Sequence, residues 1–122
     1  RPRRVGGFDI PASRYGVKIQ GCDYLALTKL DVLGYMDRIP VCVAYNIDGV
    51  ETTEFPTGDK LLRAKPVYEY LEGFKTDISS CRNKDELPKA ALKYIEFIEA
   101  SVGCPIKYVS VGPSRDDYIT MY

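Results

Sequence analysis

An amphipathic helix that runs through a single glycine towards a short apolar strand leaves few folds open. Over residues 86–102, Ala91, Ile95, Ile98 and Val102 recur at helical spacing, with Pro88 in the first turn and Gly103 at the end. Residues 106–111 then read as a buried strand, which Gly112-Pro113 breaks, and 118–122 as a last strand. The same alternation appears earlier. Asp9-Ile10-Pro11-Ala12 offers a cap residue and an early proline for a helix through Gln20 that ends at Gly21, and 24–29 has the length of a buried strand. Ile39, Val41, Val43, Tyr45 and Ile47 alternate with Pro40, Cys42, Ala44 and Asn46, and Asp48-Gly49 supplies a hairpin turn before 50–54. Pro40 belongs at the strand's start or on an edge. A short polar or helical connection around 59–64 leads to a strand at 65–71. Helices alternating with apolar strands predict an α/β sheet with a hairpin attached. With 122 residues and no repeat, low-complexity tract or linker, the chain holds one core and one domain.

Charge and composition narrow the chemistry. Seventeen Lys and Arg balance seventeen Asp and Glu, which argues against a nucleic acid as the main partner. Histidine is absent, so Ser-His-Asp and Cys-His nucleophile pairs, His-ligated zinc and imidazole acid–base chemistry are excluded from this stretch. Cys22, Cys42, Cys81 and Cys104 lie far apart with no C-x-x-C pair, which reads as free thiols in a cytosolic protein. No apolar run approaches the ~20 residues a bilayer span needs. The chain opens on Arg1-Pro2-Arg3-Arg4 with neither an initiator Met nor the apolar segment of a secretory signal. The expectation is a fragment whose reacting residues lie upstream.

Thr28-Lys29-Leu30-Asp31, directly after a candidate strand, is the sharpest local signal. Guanine presents two adjacent donors, N1–H and the N2 amino group, and an ionised Asp31 accepts both in one plane. Adenine has an unprotonated N1 at that edge and leaves the carboxylate facing a lone pair. Lys29 lays its methylene stem across the purine face, with its ammonium near the ribose. The competing reading is a surface lysine beside a helix-capping aspartate, since Asp31 precedes Val32-Leu33. Ser110-Val111-Gly112-Pro113 ends another candidate strand, and a tight Gly-Pro turn there aims backbone N–H groups at a base oxygen such as guanine O6; taken alone, it reads more readily as a plain strand-ending turn. Together the two loops fit one ligand at adjacent strand ends. Three arginines near one turn suit an acidic substrate, against a frayed, solvated terminus. The ten tyrosines are spread along strands and helices and read as packing residues rather than as a stacking platform.

Arg1-Pro2-Arg3-Arg4 with Gly7-Phe8-Asp9, Leu25 through Leu33, Val41-Cys42-Val43-Ala44-Tyr45, Lys65-Pro66-Val67-Tyr68-Glu69, Leu87-Pro88 and Val109-Ser110-Val111-Gly112-Pro113 resemble, in this order, the C-terminal third of the adenylosuccinate synthetase family. The resemblance covers essentially the whole chain. It implies the C-terminal part of a P-loop-like nucleotide-binding sheet, with helices on its faces and an attached β-hairpin. It also implies a GTP-dependent ligase of AMP biosynthesis that joins IMP and L-aspartate into adenylosuccinate, releasing GDP and phosphate. By the same resemblance, Lys29, Leu30 and Asp31 form a guanine-recognition segment and Ser110, Val111 and Gly112 a second guanine loop. Arg1 contacts aspartate and IMP, and Arg3 lies between the aspartate site and GTP. The implied enzyme is a cytoplasmic homodimer using Mg2+, with no nucleic-acid or membrane partner. Its phosphate loop, general-base aspartate, histidine and magnesium ligands are expected in an absent N-terminal part, so residues 1–122 alone are expected to be inactive.

In one place the sequence departs from that pattern. Where the family commonly has Gly-Trp-Phe/Leu-Asp, this chain has Gly6-Gly7-Phe8-Asp9, which is expected to leave a cavity or loosen the arginine loop. Two rival classes remain: a fragment of a GTP-binding regulatory domain, which shares T-K-x-D but not the arginine cluster or the S-V-G-P ending, and a non-enzymatic α/β interaction module without nucleotide preference.

Overall fold

The computed structural model describes residues 6–122. Strand β1 (Phe8–Asp9) leads into helix α1 (Ile10–Gln20), and Asp9 caps that helix by accepting from the Ala12 N–H at 3.0 Å. Strand β2 (Leu25–Leu27) is followed by a 3-10 turn, Leu30–Leu33. Strands β3 (Arg38–Ile47) and β4 (Val50–Thr52) form the expected hairpin, in which both Asp48 and Gly49 adopt positive φ, as a two-residue primed turn requires. Helix α2 (Asp59–Arg63) connects to β5 (Lys65–Glu72). A second 3-10 turn, Lys84–Glu86, precedes helix α3 (Lys89–Val102), and β6 (Ile106–Ser110) and β7 (Tyr118–Thr120) complete the chain. No described helix is long and apolar enough to cross a membrane.

The fold is mixed α/β, but its strands form two sheets rather than one. In the first, β5 runs antiparallel along one edge of β3, while β1 (parallel) and β4 (antiparallel) share the other. The second has the order β2-β6-β7, with β2 parallel to β6 and β7 antiparallel to it. The hairpin is therefore not an appendage, because β3 is the centre of the larger sheet. Pro40 lies near the start of β3, as its missing N–H requires. The simple alternation along β3 fails at a bulge, where Val43 is the extra residue between Cys42 and Ala44. One inserted residue shifts the phase of the side chains. Cys42 and Ala44, expected opposite the buried face, are buried, and Val43 is only half-buried.

Helix α3 starts three residues later than the periodicity predicts, because Asn83 and Glu86 cap a separate turn and Pro88 then precedes the first helical residue. Its expected apolar stripe, Ala91, Ile95, Ile98 and Val102, is buried in full and joined by Tyr94. These side chains meet Ile10, Ile39, Val41, Ile106, Val109 and Ile119 in one core, each fully buried isoleucine or valine contributing about 1.5–3 kcal/mol. Arg14 fixes α1 against the end of α3: its Nε and Nη2 both donate to the Ser101 carbonyl, at 3.0 and 2.9 Å.

Candidate functional site

Parallel pairing of β2 with β6 decides where the two sequence motifs meet. Leu27 lies opposite Val109, so Thr28 and Ser110 leave neighbouring strands at the same, carboxyl end. That end of a parallel pair is where open α/β sheets place their ligands. After Thr28 the chain turns sharply, with Lys29 in the left-handed region at φ 63°, a conformation that costs a non-glycine residue on the order of 1 kcal/mol. Leu30, 1% exposed, anchors the turn in the core, and Asp31 follows half-buried. The 3-10 turn has no side-chain cap, and among the described residues the Asp31 carboxylate has neither a hydrogen-bond nor an ion-pair partner. The reading of Asp31 as a helix cap is thereby ruled out.

The second loop is closed by Asp117. Its carbonyl accepts from the Val111 N–H at 2.8 Å, its own N–H donates to the Ser114 carbonyl at 3.0 Å, and its Oδ2 accepts from the Ser114 N–H at 3.0 Å. Ser110 Oγ donates to the Gly112 carbonyl at 3.1 Å. Val111 is fully buried and its N–H is taken; Pro113 has none. Among the described residues, that leaves the Gly112 N–H as the turn's unpaired donor.

On the face of this sheet, reaching the loops only at Thr28 and Ser110, lies a cleft of about 370 Å³ lined by Ala26, Leu27, Thr28, Tyr108, Ser110 and Tyr118, a volume typical of small-ligand sites; Lys29, Leu30, Asp31, Val111 and Gly112 do not line it. Tyr24, Tyr108 and Tyr118 form an edge-to-face row across this sheet, successive ring centroids being 6.0 Å apart, and Lys107 Nζ sits 4.8 Å from the Tyr24 centroid. Two of the tyrosines read as packing residues thus wall the cleft. The signal for Tyr108 was available, since it precedes Ser110 by two residues on one strand and so shares its face. Nothing in the sequence marks Tyr118, or Asp117 and the Arg82 that pairs with it, because their positions depend on the loop's closure.

Arg1 and Arg3 lie outside the described residues. A second cleft of about 260 Å³ is lined by Gly6, Gly7, Asp9, Cys42, Tyr45, Phe55 and Tyr68 among others, at the position where the sequence departs from the family pattern. At Gly7 itself the backbone runs so close to β3 that a Cβ would lie 2.7 Å from the Pro40 carbonyl oxygen. Asp9 carries two duties there, capping α1 and accepting the Tyr45 hydroxyl at 2.7 and 2.6 Å. Burial, with the Asp9 hydrogen bond and charge, raises the Tyr45 pKa well above its usual value, and burial with the same carboxylate pushes the Cys42 thiol up. All four cysteines are free. Burial likewise raises Cys81 and Cys104, so Cys42, Cys81 and Cys104 are held as protonated thiols rather than nucleophiles. A third cleft of about 300 Å³, under α1, is lined by Phe8, Val17, Leu25, Ile98 and similar residues and holds no charged side chain. No group of three His, Cys, Asp or Glu among the described residues is arranged to hold a metal ion.

Comparison with known proteins converges on one family. Residues 1–119 match the family model described as adenylosuccinate synthetase. The adenylosuccinate synthetase of Thermobifida fusca (strain YX) is 48% identical over 122 residues, which is 99% of this chain and 29% of that protein. That of Aquifex aeolicus (strain VF5) is 46% identical over 120 residues, 98% of this chain and 28% of the relative. The solved structure of fully ligated adenylosuccinate synthetase from Plasmodium falciparum superposes with a TM-score of 0.87 at 38% identity, covering 100% of this chain and 30% of that one. The chain thus spans under a third of the length of these relatives, yet nearly all of it is matched in each. It belongs to the adenylosuccinate synthetase family.

Proposed function

We propose that this chain is the guanine-recognising, C-terminal portion of a GTP-dependent ligase that joins IMP and L-aspartate into adenylosuccinate. The observation that carries this reading is the pair of loops leaving adjacent parallel strand ends at Thr28 and Ser110, one with a carboxylate at Asp31 and the other with an N–H at Gly112, neither of which has a partner among the described residues. Donor and acceptor match guanine: Asp31 accepts N1–H and the N2 amino group, while the Gly112 N–H donates to O6. Lys29 packs its stem along the purine, Leu30 holds the segment in the core, and Ser110 and Val111 shape the second loop. Arg1 supplies a guanidinium fork for aspartate and IMP, and Arg3 one between the aspartate site and GTP.

The chemical step is assigned elsewhere in the enzyme. This chain has no histidine, and no three His, Cys, Asp or Glu side chains among its described residues are arranged to hold a metal ion; the Mg2+ ligands are expected in the N-terminal part. The β2-β6-β7 sheet is read as the end of a larger P-loop-like sheet, in an enzyme working as a homodimer in the cytoplasm.

The full-length enzyme is expected to form adenylosuccinate from IMP and L-aspartate with GTP and Mg2+ but not with ATP, and residues 1–122 alone to form none. Equal use of ATP would overturn the guanine reading, and turnover by residues 1–122 would overturn the placement of the chemistry. In the full-length enzyme, Arg1→Leu or Arg3→Leu should raise KM for aspartate at least about tenfold, the worth of one charge-assisted hydrogen bond. Unchanged aspartate kinetics in both variants would remove these arginines from the substrate site.

A further inference from the structure

The guanine loop is braced from behind, and this inference rests on the base-recognising role proposed above. We infer that Asp117 and Arg82 are positioning residues that hold the turn at Ser110, Val111 and Gly112 in its base-binding shape, Asp117 from inside the loop and Arg82 from a separate segment of chain. The two oxygens of Asp117 have different tasks. Oδ2 closes the loop on the Ser114 N–H, and Oδ1 accepts from Arg82 Nη2 at 2.8 Å. The carboxylate also packs directly against Gly112, where an added Cβ would meet Oδ2 at 2.5 Å.

Ion pairs between two mobile surface side chains are worth little, but this pair differs from them in geometry. The Arg82 guanidinium is already fixed, because Nη1 donates to the carbonyls of Ser79 and Cys81, each at 2.7 Å. Its segment is in turn knotted by Glu86, whose Oε1 accepts from the Arg82 and Asn83 N–H groups at 2.8 and 3.1 Å, and is rooted in the core through Ile78 and Cys81. The Asp117 side chain is only 19% exposed. Arg82 therefore presents a preset donor to a shielded acceptor, and forming the pair orders little that is not ordered already. The Gly112 N–H is aimed by this arrangement.

O6 is common to guanine, hypoxanthine and xanthine, so loosening the turn should weaken all three nucleotides alike. In the full-length enzyme, Asp117→Ala is expected to raise KM for GTP and for ITP together by roughly tenfold, equivalent to about 1.4 kcal/mol. Values of kcat and of KM for IMP and aspartate should stay within about twofold. Arg82→Ala, at a side chain 46% exposed, should reproduce a smaller rise without endangering the fold, and the double variant should be no worse than Asp117→Ala alone. The inference is overturned if GTP and ITP kinetics are unmoved in the soluble variants, or if all substrates and kcat decline in parallel with thermal stability. Arg82→Ala decides the question if Asp117→Ala does not fold. Failure of the guanine reading itself shows differently, as a GTP-to-XTP preference that Asp31→Asn leaves in place.

Discussion

Asp31→Asn in the full-length enzyme is expected to lower kcat/KM for GTP by about 30- to 1,000-fold while raising the use of XTP relative to GTP. The carboxylate accepts two parallel donors, and the amide accepts only one, so a guanine N–H is left facing an NH2 group or empty space. Losing a charge-assisted hydrogen bond and stranding a desolvated donor costs roughly 2–4 kcal/mol, which gives that range. Xanthine has a carbonyl where guanine has its amino group. Its N1–H then meets the new amide oxygen and its O2 the new amide NH2. Because the Asp31 carboxylate has no partner among the described residues, the substitution breaks no hydrogen bond within them and stability should be nearly unchanged. Kinetics with GTP, ITP and XTP on both proteins test this, and a preference that does not move removes Asp31 from base recognition.

Gly73→Ala should have the largest effect on stability. Gly73 is buried just past the end of β5, with its N–H donating to the Asp37 carbonyl at 2.9 Å. A Cβ here would overlap the Met36 carbonyl oxygen and sit 2.8 Å from that of Asp37. Both obstacles are backbone, so no rotamer change relieves them and the β3–β5 ladder must open at its end. Overpacking typically costs about 1–3 kcal/mol, and a clash with fixed backbone belongs at or above the top of that range. Gly16→Ala, in α1, is the control: its Cβ would meet nothing within 4 Å, and alanine favours a helix over glycine by about 1 kcal/mol. Thermal or denaturant midpoints of the two full-length variants should move in opposite directions. Equal midpoints would mean the backbones at Gly73 and Met36 are not in contact.

Much of this architecture can be read from local chemistry. Asp9 and Gly21 bracket α1, Gly103 ends α3, and Asp48-Gly49 makes the hairpin turn, because cap and turn preferences are set by a few neighbouring atoms. The four-residue stripe of α3 is legible for the same reason: one helix face meets one core. What escapes the sequence depends on distant partners. The bulge at Val43 arises from register against β5, and the division into two sheets from which edges of β3 and β6 are paired. At the site, Lys29, Asp31 and Ser110 are recognisable from their donor and acceptor chemistry and their place after strands. Tyr118, Asp117 and Arg82 are not, since each acquires its position from a loop folded across another segment.

The parallel neighbours β2 and β6 are separated in the chain by strands β3, β4 and β5 of the larger sheet and by helices α2 and α3. The cleft beside Thr28 and Ser110 therefore has no local precursor. Neither loop can be brought opposite the other until the intervening elements have docked, and the closure entropy of that long excursion is met before any contact across the cleft forms. During synthesis, the Thr28 side of the cleft waits for β6 and β7 to emerge, so the cleft closes only after the elements between them have been made.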